Sequence, residues 1–445
     1  MIQTLLLSAC STLLLSSAVI AVEPGPQWPA WRGPDGTGLA AGKAPQEWSA
    51  DKNIAWKRAI EGRGISTPIV WGDKMFLTTA IPQDEAPTEP EPEQEGGRPQ
   101  RSPGGALVDH NFDILCLDKN SGEELWRKTA ITATPHEGYH RTYGSFASSS
   151  PVTDGKHLYV FFGSRGMYCY DLDGDLKWST DFDIKMEMRN QFGEGVSPVV
   201  FGEFLVLNFD QEGPSFIAVL DKNTGKEVWR KDRDEVTSWA APLVTTHNDR
   251  SQVIVSGTTA VRSYAIENGE ILWHCSGLGL NAIPTPVRVG DNILIMTGYR
   301  EQNLMSIALG GKGDLSETDA VQWSSTKGTS YTASPVYHDG LYYTVSDRGL
   351  ISCFDAVSGD PQYLEERLPR GFTLKASPVA TSDTLYVLAE EGEVALIEMG
   401  PELLVKAVIP ALEEAMWLAS PIIDAGNLYL RSTKHLYCIR EAGDE

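Results

Sequence analysis

Leu117-Asp118-Lys119-Asn120-Ser121-Gly122-Glu123-Glu124-Leu125-Trp126 and Leu220-Asp221-Lys222-Asn223-Thr224-Gly225-Lys226-Glu227-Val228-Trp229 are two copies of one pattern. Each leaves an apolar run, passes through an Asn-x-Gly turn and re-enters a short strand that ends on tryptophan. Glycine supplies the positive φ that a tight turn between strands needs, and asparagine tolerates the same region. Ser358-Gly359 marks a third such turn. The tryptophan strand recurs at Trp126, Trp178, Trp229, Trp273 and Trp323.

Outward from this stretch the rest of a repeat comes into view. Two apolar runs precede the turn, the second of the repeat being Leu158-Tyr-Val-Phe-Phe162 in one copy and Leu385-Tyr-Val-Leu388 in another. A turn separates the first run from the second, as at Asp154-Gly155, Gly202-Glu203, Gly290-Asp291 and Asp339-Gly340. The first run opens on a proline, usually behind a small residue: Pro68, Pro151, Pro198, Pro242, Pro286, Pro335, Pro378 and Pro421. Four short strands recurring about every 45 residues, with no long stretch of helical period, is the pattern of a β-propeller blade. Tandem sandwiches would need domains of about 100 residues with linkers of their own, and the repeats have no such linkers between them.

The ends set the blade number. The last copy begins near Trp417 and stops after Tyr437-Cys-Ile-Arg440, one strand short. Ile54-Ala-Trp56-Lys-Arg58 precedes the first proline step and carries the spare tryptophan strand. Pairing these two ends closes the ring and removes two open sheet edges. The expectation is an all-β, eight-bladed propeller in one domain over residues 54–440, with an extension at 22–53 and a tail at 441–445. A Pro- and Glu-rich insertion in blade 1, residues 82–109, reads as a disordered acidic loop.

The chain of 445 residues carries 37 Lys+Arg against 60 Asp+Glu, a net charge of −23. That balance disfavours nucleic acid, whose phosphates need a basic face. Its 12 Trp, 15 Tyr and 13 Phe suffice for a large core. The apolar stretch over residues 5–22 reads as a secretory signal peptide cut after Ala21, which places the protein in the periplasm or outside the cell. Cys10 gives a weaker lipoprotein alternative. No later segment is long and apolar enough to span a bilayer. Four of the five remaining cysteines, Cys116, Cys169, Cys353 and Cys438, recur at one position of the repeat, and all five read as small buried strand residues, not as disulfide partners.

The Trp126 and Trp229 segments resemble the tryptophan-docking motif of pyrroloquinoline quinone (PQQ)-like propellers over residues 54–440. Trp28-Pro-Ala-Trp31-Arg-Gly-Pro34-Asp-Gly36 resembles the start of exported PQQ-like proteins of planctomycete-type bacteria. The resemblance implies that Trp56, Trp126, Trp178, Trp229, Trp273 and Trp323 dock neighbouring blades. It covers two kinds of relative: quinoprotein dehydrogenases, which hold PQQ with Ca²⁺, and the non-enzymatic β-barrel assembly lipoprotein of bacterial outer membranes. The dehydrogenases use Glu, Asn and Asp near calcium, an Asp base and an adjacent cysteine pair. Glu194 and Asn281 suit two of those places, but the chain has no adjacent cysteine pair and no convincing base. No cofactor or metal is therefore expected.

Residues just before each proline step enter the central channel from the face that also carries the long loops. They are Arg63, Glu194, Trp239, Asn281, Tyr331, Lys375 and Trp417, a polar and aromatic ring suited to a planar or sugar ligand. His136-Glu137-Gly138-Tyr139-His140 matches the HExxH zinc pattern, but Pro135 and Gly138 argue against the helix that pattern requires, which leaves a loop with weak ligand potential. Three functions follow as expectations: a non-enzymatic envelope scaffold that binds a protein or small ligand, a PQQ-dependent oxidoreductase, or carbohydrate binding or processing at the channel mouth.

Overall fold

The computed structural model describes residues 27–84, 103–369 and 371–441. The expected signal segment, Cys10 and the acidic stretch 85–102 lie outside the described residues. Eight antiparallel sheets stand in ring order, covering residues 69–133, 152–180, 199–233, 243–275, 287–325, 336–367, 379–409, and 422–439 completed by Ile54–Ala59. We number these blades 1 to 8. Ile54–Ala59 pairs antiparallel with His435–Ile439, so the N-terminal strand is the outer strand of the last blade. Inner strands contact one another between blades 2 and 3, 3 and 4, and 7 and 8.

The opening motif explains why blades stay in register. Asp118 Oδ1 accepts the amides of Asn120 at 2.9 Å and Ser121 at 2.8 Å, fixing the turn. Gly122 follows at φ +74°, and a Cβ there would lie 2.6 Å from the Trp56 ring of the preceding blade. Trp56 Nε1 donates to the Lys119 carbonyl at 3.0 Å. Gly225 repeats this against Trp178, whose Nε1 donates to Lys222 O at 3.0 Å. The rings of Trp126, Trp229 and Trp323 meet Gly174, Gly269 and Gly359 at 2.9, 2.6 and 2.4 Å by the same measure, but Trp323 Nε1 has no hydrogen-bond partner among the described residues. The lysine of the motif also reaches back one blade: Lys119 Nζ lies 2.9 Å from Asp424, and Lys222 Nζ 2.9 Å from Asp154.

Trp273 departs from this scheme. It is fully buried, but its Nε1 donates to Gln252 within its own blade. The turn that should receive it is replaced by a longer segment, in which Gly313–Asp314 adds a parallel fifth strand to blade 4. Blade 4 keeps the four expected strands, and the insertion adds a two-residue strand to its outer edge.

A second seam runs around the channel. The residue before each proline is Thr67, Ser150, Ser197, Ala241, Thr285, Ser334, Ser377 or Ser420. The Thr67 amide donates to Ser150 Oγ, Ser150 to Ser197, Thr285 to Ser334, Ser334 to Ser377, Ser377 to Ser420, and Ser420 back to Thr67 Oγ1, at 2.8–3.1 Å. Ala241 has no hydroxyl, so the seam is open at blade 4. The five cysteines among the described residues are free and buried, and burial pushes their thiols up to about 11–12.

Residues 27–53 cross the face opposite the long loops. Trp28 bridges to Val70 of blade 1, and Pro29 O accepts the amide of Thr153 in blade 2. The chain then reaches blades 6 and 7, where the buried Arg32 guanidinium donates to the carbonyls of Pro335 and Pro378, and to that of Thr37. Leu39 bridges to Ala380, and Tyr386 Oη donates to Ala44 O at 3.0 Å. The N-terminal extension is thus a plug across the channel.

Candidate ligand site at the channel mouth

The axis opens on the long-loop face into a cavity of about 410 Å³. Its wall is built from the segments entering successive blades. Glu194, Trp239, Tyr331 and Lys375 of the expected ring line it, together with His140. Thr67, Ser150, Ser197, Ser377 and Ser420 of the hydroxyl seam also line it, and Trp31 of the plug reaches it from the other side, its Nε1 3.4 Å from Ser420 Oγ.

The charged groups of the wall are already committed. Glu194 accepts from Ser164 Oγ at 2.9 Å and from Arg165 Nη1 at 2.9 Å, above Gly163, where any Cβ would collide with the carboxylate. Lys375 Nζ sits 2.8 Å from Asp347 and 3.4 Å from Glu390, and 4.7 Å from the centre of the Tyr143 ring. Burial pulls its pKa down, but Asp347 and Glu390 outweigh burial and the group stays raised. Trp239 is held by a 2.9 Å bond from Nε1 to Gly193 O. Tyr331 stacks on Tyr299 with ring centres 5.0 Å apart.

The other three expected ring residues lie outside the cavity lining. Arg63 donates to the carbonyls of Gly144 and Thr142, both at 2.8 Å, and lies over Tyr139, so it braces the loop that carries His140 and Tyr143. Asn281 is buried in the left-handed region and donates to Tyr331 Oη at 3.2 Å. Trp417 is fully buried against Gly392 and Tyr437, as blade packing.

The HExxH residues stand on a loop, not a helix. His136 Nε2 donates to Met186 O at 2.8 Å, and its Nδ1 faces Arg165. Glu137 accepts the Met188 amide at 3.2 Å, and burial lifts its carboxyl to about 7. His140 Nδ1 accepts the amides of Thr142 and Tyr143. Among the described residues no group of three His, Cys, Asp or Glu could hold a metal. Gly104 pairs with Tyr139, so the end of the blade 1 insertion is packed on this loop.

The sequence reading missed Trp31, Tyr143, Phe192 and Tyr299, and it passed over the hydroxyl seam as small residues. A signal was present: seven of the eight residues before the prolines are Ser or Thr.

The sequence model for outer membrane protein assembly factor BamB matches residues 110–363. The chain belongs to this family. Among solved structures, BamB from Moraxella catarrhalis is 13% identical, with a TM-score of 0.57 over 87% of this chain and 98% of that one. A europium-containing methanol dehydrogenase gives 0.66 at 10% identity, over 94% and 98%. Quinohemoprotein alcohol dehydrogenase from Comamonas testosteroni gives 0.62 at 10% identity, over 94% and 81%. At these identities the likeness establishes the propeller alone. No curated protein matches the chain.

Proposed function

We propose that this BamB-type propeller is an exported, non-enzymatic binding protein of the cell envelope that holds a ligand, or a segment of a partner, in the axial cavity. The observation that carries the reading is a ligand-sized cavity with aromatic walls whose charged groups are all satisfied from within. Ligand cavities span about 300–1,000 Å³, and orientation comes from a few polar groups on a mainly apolar wall. Catalysis needs a base or nucleophile free to act on substrate. Here Glu194 and Lys375 are tied to Arg165, Asp347 and Glu390.

The quinoprotein alternative meets poor donor chemistry. PQQ is a tricarboxylate, and with Ca²⁺ it needs carboxylates to spare for the metal and cations to spare for itself. Glu194 is spent on Ser164 and Arg165, and Asn281, whose Nδ2 donates to Tyr331 and whose Oδ1 has no partner among the described residues, is buried outside the cavity lining. No step is derived through that cofactor.

A thermal-shift series tests the reading, since a ligand at 100 times its Kd adds about 2.7 kcal/mol of stability. A fractionated envelope extract should raise the melting temperature, and Trp239→Ala should reduce that rise. PQQ with Ca²⁺ should not. A shift with PQQ and Ca²⁺ together with dye-linked alcohol oxidation would replace this reading with the enzymatic one.

A further inference from the structure

We infer that the axial cavity is a blind site for a neutral saccharide, with Trp31 of the N-terminal segment as its floor; this rests on the binding reading above. The first observation is the hydroxyl seam. The oxygens of Thr67, Ser150, Ser197, Ser377 and Ser420 each accept a backbone amide, which fixes them in place. None of these five hydroxyls donates its own proton to a partner among the described residues. Fixed donors around an axis call for a ligand with acceptor oxygens on several sides.

The second observation is the aromatic surface. Trp31 lies at the base, and Trp239, Phe192 and the stacked pair Tyr299–Tyr331 form the walls. Such rings offer flat apolar faces with polar edges, which suit a molecule that is apolar on its ring faces and hydroxylated around its rim. The third is charge. Lys375 and Glu194 are each neutralised by neighbours at hydrogen-bond distance, so an ionic ligand would have to break an existing pair. Together these select a pyranose-like ligand of about one or two rings, given the cavity volume. Arg32 clamps the plug to the carbonyls of Pro335 and Pro378, so the ligand enters and leaves by the mouth alone.

Calorimetric titration of the full mature chain tests this, with glucose, galactose, N-acetylglucosamine, maltose and cellobiose as neutral probes. Glucose 6-phosphate and galacturonate serve as ionic probes, and sorbitol as a polyol without a ring. At least one neutral sugar should bind more tightly than its ionic counterpart and than sorbitol. Trp31→Ala should weaken it roughly three- to tenfold, while Trp31→Phe retains most of the affinity. Circular dichroism and melting establish that each variant is folded. Preference for the ionic probes, or unchanged affinity in a folded Trp31→Ala, overturns the inference. If no saccharide binds but an envelope component still shifts the melting temperature through Trp239, the saccharide class falls and the binding reading stands. If Trp239→Ala and Lys375→Ala also leave every such shift intact, both fall.

Discussion

Gly225 sits at φ +70°, and its absent Cβ would lie 2.4 Å from the Trp178 ring. Gly202 has a similar φ of +56° but nothing within 4 Å. Alanine at either position meets backbone strain, and only at Gly225 does it also displace a docked ring. Gly225→Ala should therefore cost more than about 1 kcal/mol beyond Gly202→Ala in denaturant unfolding. Equal midpoints would mean that the ring does not bear on the turn. Trp229 is 8% exposed and its Nε1 donates to Ile266 O, so Trp229→Ala should cost about 3–5 kcal/mol. Trp126 is only partly buried and should cost less. Glu137 offers a test by pH. Burial raises its carboxyl to about 7, opposed by the Met188 amide and helped by Glu194. The folded state then binds a proton that the unfolded chain has released, so the contribution of Glu137 to stability is greatest below the ordinary carboxylate range and falls as pH rises towards 7. Glu137→Gln should flatten that part of the melting-temperature profile. Wild-type and Glu137→Gln profiles of the same slope across this window would contradict the assignment.

At the scale of elements, the closing strand is the most exacting case. Ile54–Ala59 shares a ladder with His435–Ile439, and Arg58 reaches across to Glu124 of blade 1. Removing residues 27–60 should leave the last blade with a bare edge and the channel unplugged, giving aggregation or a broadened, multi-step transition by light scattering and calorimetry. A monomer that melts like the parent would refute closure. This element was legible in the sequence because a strand pattern is local: the Trp-strand, the turns and the proline steps each occupy a few residues. The cavity was legible only in part. Glu194, Trp239, Tyr331 and Lys375 could be placed because each precedes a proline step, but Trp417, in the same position, turns into the blade. Trp31 could not be placed at all, because its role depends on Arg32 meeting carbonyls some three hundred residues away.

For the whole molecule, a net charge of −23 spread over one ring means that folding gathers like charges. Raising ionic strength from low salt to about 0.15 M shortens the Debye length to about 8 Å and should raise the melting temperature. A flat or falling response would show that the ion pairs between blades, such as Lys119–Asp424, outweigh the general repulsion. The seam of hydroxyls has a matching whole-ring meaning. Its opening at Ala241 breaks an otherwise near-rotational arrangement, so a molecule on the axis meets a distinct side at blade 4.

The closing strand also sets an order of events in time. A ribosome delivers residues 54–59 first and 435–439 last, so the earliest strand made is the last to find its partner. A shorter delay applies to Arg32, whose carbonyl acceptors belong to blades 6 and 7. Until residues 435–439 are made the chain holds a strand in waiting, and until blades 6 and 7 are made it holds a buried-to-be cation as well. A product that stops before residue 435 leaves the closing strand without its partner, and one that stops before Pro335 leaves Arg32 without those acceptors as well, so each carries exposed groups that mark it as incomplete.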